Sequence, residues 1–402
     1  MSVSQPNHKK LTQWTFLWMG LSHEPLIALY ALFPFILKKG LNATALQIGC
    51  FMAIKPIVAV FAYYWQAHTH NRHPNLRKHL MVAWTLSLAP FLIFPALSHL
   101  SYLFIAASAY QLFSKAATPP FIEICKQNLD AKERRKIISL TYLASFLLSA
   151  FLGIFFGQIL DFASTSWQIA SAFFALLALT SLYFQKKLFF TPQPYLNDES
   201  VQQPLLGPLK KSLLILKASP DFQNFQLGFM IGGSALMLIG PALIIYCTDN
   251  LGLGYKSYTQ ARYIFMSIGI ILSTYLWKKV VKHYSLNRLM PWVSLLFGLF
   301  PLFILIASVS LTLLNSAFII YGVAQAGSHL IWTLSPTYFS GNQNSAPYTA
   351  LNILTQGLRG LIFPLLGAGL THYFGSLTVL VIGSLVAFLG MFVMLKKNRN
   401  QL

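Results

Sequence analysis

Apolar stretches of about twenty residues or more alternate with short polar breaks along the whole chain. That length is diagnostic, because a hydrocarbon core about 30 Å thick takes roughly 20 helical residues to cross. Such stretches fall near residues 12–37, 45–67, 80–98, 101–127, 137–162 and 166–188. A second set falls near 221–248, 259–281, 288–308, 312–339, 347–372 and 376–395. Breaks such as 98–101 and 163–166 are so short that the segments they join must run antiparallel. The pattern predicts an all-α membrane protein with twelve transmembrane helices in two six-helix bundles, residues 1–189 and 220–402.

Between them lies a Pro-rich polar connection, 190–219. Its second part, 209–217, mixes Lys210, Lys211 and Lys217 with Leu and Ile, and predicts a short amphipathic helix on the membrane surface. Ser219, Pro220 and Asp221 then read as an N-cap, a first-position proline and a first-turn carboxylate.

Composition removes the soluble alternative. Only 9% of the 402 residues are charged and 55% are hydrophobic, whereas a soluble domain carries roughly a quarter charged. The formal charge of +20 would suggest nucleic acid in a soluble protein, but its placement says otherwise. Of 29 Lys and Arg residues, 22 fall in the two tails and in every second connection, and only Lys38, Lys39 and Lys256 fall in the others. This positive-inside bias puts both termini in the cytoplasm and leaves no role for nucleic acid. The first apolar stretch is too long for a cleaved signal and is expected to remain as the first span. Cys50, Cys125 and Cys247 show neither pairing nor metal-ligand spacing. Neither metal nor cofactor is expected.

The two halves echo each other. Tyr63, Tyr64 and Trp65 close the second apolar stretch before a basic loop, as Tyr275, Leu276 and Trp277 close the eighth. Gln111, Ser114 and Lys115 in the fourth match Gln325, Ser328 and His329 in the tenth, each with proline following. Gly157 and Phe162 in the fifth match Gly369 and Phe374 in the eleventh. Pairs separated by six spans are the mark of a parallel 6+6 repeat, a known transporter architecture.

Over essentially its whole length the chain resembles the major facilitator superfamily. The stretch carrying the resemblance runs from Trp65 through Gln66, His70 and Arg72 to Arg77 and Lys78. The family pattern there is roughly Gly-x-x-x-Asp-Arg/Lys; here Gln66 stands at the Gly position and His70 at the Asp position. The stretch 357–367, with Gly357, Arg359, Gly360, Pro364 and Gly367, also resembles the eleventh helix of some bacterial members. The resemblance implies a secondary transporter of a bacterial inner membrane, working by alternating access as a monomer among membrane lipids. It further implies that His70, Arg72 and Arg77 belong to a cytoplasmic gate loop, and that the first, fourth, seventh and tenth helices line a central cavity.

Charges near mid-membrane supply the candidate chemistry, since each costs about 2.5–3.5 kcal/mol to insert. Glu24 lies twelve residues into its stretch, roughly 18 Å deep at 1.5 Å per residue; Lys55, Lys115 and Arg359 lie at similar depth. Glu123 and Arg262 fall nearer the ends, where long side chains reach water. Asn352, Gln356 and Arg359 share one helical face, and a guanidinium there suits a carboxylate or phosphate. An interhelical ion pair is the plainer role for Arg359. Gln111 with Lys115, and Gln325 with His329, plausibly face the cavity that the resemblance implies. Glu24, flanked by His23 and Pro25, either pairs with Lys55 as a structural or gating pair or lines the cavity as a proton carrier. Three mid-membrane cations against one acid favour an anionic small-molecule substrate.

Gly153 and Gly157 in the fifth stretch read as a close-packing motif. No nucleotide loop or nucleophile motif is present, so an enzyme is not expected and a gradient, as in symport with protons, supplies the energy. Three alternatives stay open at this point: an exporter of amphipathic compounds or lipid translocator, a non-transporting sensor or scaffold, and an integral-membrane enzyme.

Overall fold

The computed structural model describes residues 5–69, 76–97, 99–163, 165–189, 214–341 and 345–399, and these are almost entirely helical. In the first half, α1 spans Gln5–Leu41, α2 Ala45–Thr69, α3 Leu76–Leu92, α4 Leu100–Asn128, α5 Ala131–Phe162, α6 Ser166–Leu179 and α7 Ser181–Lys186. In the second, α8 spans Pro220–Ile245, α9 Tyr255–Thr259, α10 Met266–Val280, α11 Leu286–Leu305, α12 Leu311–Ser340 and α13 Ala346–Arg399. Among the described residues seven helical runs are long and apolar enough to cross a membrane by themselves. The outward surface of α5 carries Tyr142, Leu143, Leu147, Phe151 and Phe155, all exposed. An apolar stripe turned outward is what a helix in lipid presents.

The structure refines the apolar pattern at several points. The predicted sixth span is two helices, α6 and α7, joined at Thr180, whose hydroxyl bonds the Leu177 carbonyl at 2.6 Å. The third helix stops at Leu92, shortly after Pro90, and the Pro90 carbonyl is taken by the Tyr102 hydroxyl at 2.7 Å. Spans eleven and twelve form one helical run broken at Gly375, whose φ of 81° favours glycine. Residues 214–218 are helical, with Ile215 and Leu216 packed on the second-half core; the remainder of the proposed amphipathic segment, 209–213, lies outside the described residues. Ser219 stands at the N-cap of α8 with Pro220 and Asp221 following, although its side chain makes no capping bond.

Arg262 departs from expectation. It lies half-buried in a π-helical turn, Gln260–Phe265, among the hydroxyls of Tyr258, Tyr263 and Tyr321, so a tyrosine cluster holds it. The extra residue of a π turn rotates the side chains after it, and such turns recur at functional positions.

Two compact units emerge: residues 1–36 with 58–202, and residues 37–57 with 203–402. The first is built on an aromatic cluster in which Phe33 stacks on Phe91 at 6.2 Å and Phe94 meets Trp167 edge-on at 5.4 Å. Its α5 begins with a capping box: Asp130 accepts from the Glu133 amide at 2.8 Å and Glu133 accepts from the Asp130 amide at 3.3 Å. The second unit packs Phe222, Phe225, Val293, Ile331 and Leu351 into a common core. There α8 lies along α13, and α11 against α12 and α13.

Candidate functional site

Within the second unit a cavity of about 220 Å³ opens between α8, α11, α12 and α13. Phe229, Gly232 and Gly233 line it from α8, and Ser294 and Phe297 from α11. Gln325, His329 and Trp332 come from α12, and Gln356 and Arg359 from α13. Helical spacing explains the convergence. Gln325, His329 and Trp332 recur at four and three residues on α12, and Gln356 and Arg359 at three on α13, so each set shares one face.

Arg359 is only 5% exposed, and among the described residues it forms no ion pair. One terminal nitrogen donates to the Phe229 carbonyl at 2.5 Å, and the guanidinium carbon sits 4.5 Å from the centre of the Phe229 ring. The ring's negative face offsets part of the buried charge. Nε is buried without a partner, as are the Ser294 hydroxyl and the Trp332 indole N–H on the same cavity wall. Three unspent donors around a confined positive charge are an arrangement for gripping an oxyanion. Gly233 makes it possible: a Cβ there would stand 1.9 Å from an Arg359 nitrogen.

The other residues singled out from the sequence divide between the units. In the second unit, Gln325 donates to the Tyr321 hydroxyl at 2.6 Å, which links the cavity wall to the Arg262 tyrosine cluster. Lys55 is close enough to His329 for their charges to interact. Asn352, only 1% exposed, is turned away from the cavity: it donates to Ser335 at 2.7 Å and accepts from Gln226, which in turn accepts from Thr355 at 3.1 Å. This network joins α8, α12 and α13.

In the first unit, the hydroxyls of Ser145 and Ser149 on α5 meet the Glu24 carboxylate. Its neighbour His23 is 3% exposed, bonds Ser181 at 3.0 Å and meets Trp84 edge-on at 4.2 Å, as a packing histidine does. Gln111 is buried beside Tyr30, and Lys115 is half-buried on the same helix. Arg77 bonds the Leu188 carbonyl at 3.3 Å. His70 and Arg72, with most of the proposed gate loop, lie outside the described residues.

Phe229, Gly233 and Ser294 escaped the sequence reading. Phe229 and Gly233 are four residues apart on one face of α8, the spacing that would have flagged an aromatic and a gap side by side. Nothing in the sequence marks Ser294 out.

An all-helical membrane fold of about twelve helices, holding a charged solute-sized cavity within one half, defines a polytopic solute carrier. The sequence matches the Major Facilitator Superfamily over residues 25–361, and the chain belongs to that family of transporters. It is therefore a multi-pass membrane protein that carries small molecules and is not an enzyme. No curated protein matches the sequence. Among solved structures, a mutant of the nucleoside transporter NupG superposes with a TM-score of 0.74 at 12% identity, covering 96% of this chain and 99% of that one. A POT family transporter in complex with 5-aminolevulinic acid gives 0.72 at 12% identity, covering 98% and 96%. A mutant of the peptide transporter POT in complex with sulfate gives 0.74 at 10% identity, covering 96% and 94%. At such identities the likeness shows the fold alone.

Proposed function

We propose that this chain is a proton-coupled carrier of a small organic or phosphorylated anion, working by alternating access in a bacterial inner membrane with both termini cytoplasmic. The observation that carries this reading is Arg359, a buried cation facing a cavity with Nε unspent and, among the described residues, no ion pair. A charge so placed costs several kcal/mol unless something neutralises it. An anionic substrate does so transiently, which a permanent interhelical ion pair does not. Gln356, His329 and Gln325 supply further polar contacts to such a substrate, and Phe229 and Trp332 supply flat apolar surface. Asn352 contributes by fixing α13 against α8, and Lys115 and Gln111, on α4 of the first unit, are read as further substrate contacts. Glu24, with hydroxyl partners on α5, is the natural proton carrier. The loop bias of 22 basic residues against three supports the orientation.

The test is a thermal-stability screen of the purified protein against metabolite anions, with neutral and cationic compounds as controls. Ligand at a hundred times its dissociation constant should stabilise by about 2.7 kcal/mol. Stabilisation by one class of anion, abolished in Arg359→Gln with folding intact, is the expected result. Stabilisation by amphipathic or cationic compounds alone would sink the anion reading. For coupling, Glu24→Gln in proteoliposomes should retain anion binding and lose the response of uptake to a pH gradient. An unchanged gradient response removes Glu24 from that role.

A further inference from the structure

A second and larger cavity, about 760 Å³, lies in the second unit away from Arg359, bounded by α10, α11, α12 and the last turns of α13. Its walls are nearly all apolar, with Leu276, Val280, Leu296 and Trp292 among them, and its rim holds Tyr284 and Arg288. It opens on the lipid-facing side, since Leu276 is 60% exposed and Trp292 58%. The rim coincides with the basic connection from the last turn of α10 to α11, where Lys278, Lys279, Lys282 and His283 are all exposed. Asp221 stands near this end too, its backbone carbonyl accepting from the Asn287 amide at 3.2 Å.

The pattern runs from apolar to aromatic to basic over one continuous surface. In a bilayer an apolar recess open to the hydrocarbon is filled by acyl chain, and Tyr and Trp settle at headgroup level. A cluster of Lys and Arg beside a span attracts anionic headgroups at about 1 kcal/mol per residue. We infer that this groove is a binding site for one anionic phospholipid, with acyl chain along Leu276, Val280 and Leu296 and headgroup phosphate at Arg288. The exposed lysines of the same connection add unspecific attraction, whereas Arg288 lines the recess itself and offers paired donors to a phosphate. The site is separate from the transported anion, and its test involves no substrate.

The full chain, purified in detergent, is offered equimolar phosphatidylglycerol and phosphatidylcholine with identical acyl chains, and retained lipid is counted by native mass spectrometry. One phosphatidylglycerol should be retained at least tenfold over phosphatidylcholine. Arg288→Gln should bring that preference within about twofold, while Leu276→Trp, which fills the recess, should lower retention of both lipids. Glycerophosphoglycerol, the same headgroup without chains, should not displace the bound lipid. Equal retention of the two lipids, an undiminished preference in Arg288→Gln, or displacement by the chainless headgroup would each overturn the assignment. Because Arg288 is exposed, its variant keeps the fold, and thermal midpoints of both variants check this.

Discussion

At the scale of single residues, the second unit turns on the pairing of Gly233 with Arg359. The glycine leaves the space in which the guanidinium lies, and any side chain there must displace it. The displaced group is the far end of a long side chain, so the helix itself need not move. Alanine is also the better helix former by about 1 kcal/mol. Gly233→Ala is therefore expected to keep or slightly raise the thermal midpoint while weakening the anion binding proposed for this cavity at least tenfold, read from the ligand-induced shift. An unaltered ligand shift in that variant would mean the guanidinium's present position does not matter for binding. Arg359 was legible in the sequence because a charge at mid-membrane depth is conspicuous in an apolar stretch. Asn352 shared its face by spacing, yet the structure commits it to Gln226 and Ser335. Residues at i and i+7 share a face without sharing a neighbour, and which neighbour each meets depends on where the adjoining helices cross.

At the scale of elements, α10 and α12 touch backbone to backbone. A Cβ on Gly269 would lie 2.2 Å from the Ile319 carbonyl oxygen, and one on Gly322 would lie 2.1 Å from that of Met266. Neither carbonyl can move without its helix. Gly322→Ala should thus destabilise the protein by about 1–3 kcal/mol as an overpacking change. Gly369→Ala, where the added methyl meets nothing within 4 Å, should be neutral or stabilising in the same thermal unfolding assay. Equal effects of the two would show that the close approach is not what limits stability. The close-packing motif predicted from spacing falls at Gly153 and Gly157, both buried, whereas Gly269 and Gly322 carry no such signal. Those two lie on different helices, where no spacing rule connects them.

The same scale governs the start of α5. The Asp130 carboxyl is held below the ordinary aspartate range, chiefly by the Glu133 backbone N–H that it caps. A group with a depressed folded-state value contributes its stability above the unfolded-state value and loses it as pH falls through the folded one. Asp130→Ala should therefore lower the thermal midpoint at neutral pH, with a gap from the parent protein that closes progressively on acidification. A gap that is constant with pH would show that capping by the ionised carboxylate is not the source.

At the scale of the whole molecule, length and hydropathy alone made an all-helical membrane fold of about twelve helices legible, because a bilayer imposes one length on every crossing. What they could not reveal is that α1 begins in the first compact unit and ends in the second. The hairpin 37–57 is secured to the second unit by contacts that no periodicity encodes. Lys38 pairs with Asp249 at 2.8 Å, and Lys39 donates to the Leu253 carbonyl at 2.7 Å. From the sequence these lysines only set topology. Gly49 adds a close approach, since a Cβ there would stand 2.8 Å from the Pro364 carbonyl oxygen. The alternating access proposed above requires attachments of this kind to be released, so each should be weak singly and sufficient together. With its two side chains 22% and 47% exposed, the Lys38–Asp249 pair belongs to the range of about 0–1 kcal/mol measured for surface ion pairs. Asp249→Asn should accordingly raise amide hydrogen exchange across 37–57 by up to about fivefold, the ratio that such an energy corresponds to. Protection in the α8 and α11 cores should stay as it was. Exchange unchanged in the hairpin would assign its attachment to the glycine contact and the Lys39 bond, whereas faster exchange throughout the second unit would make Asp249 part of that unit's fold instead of a releasable attachment.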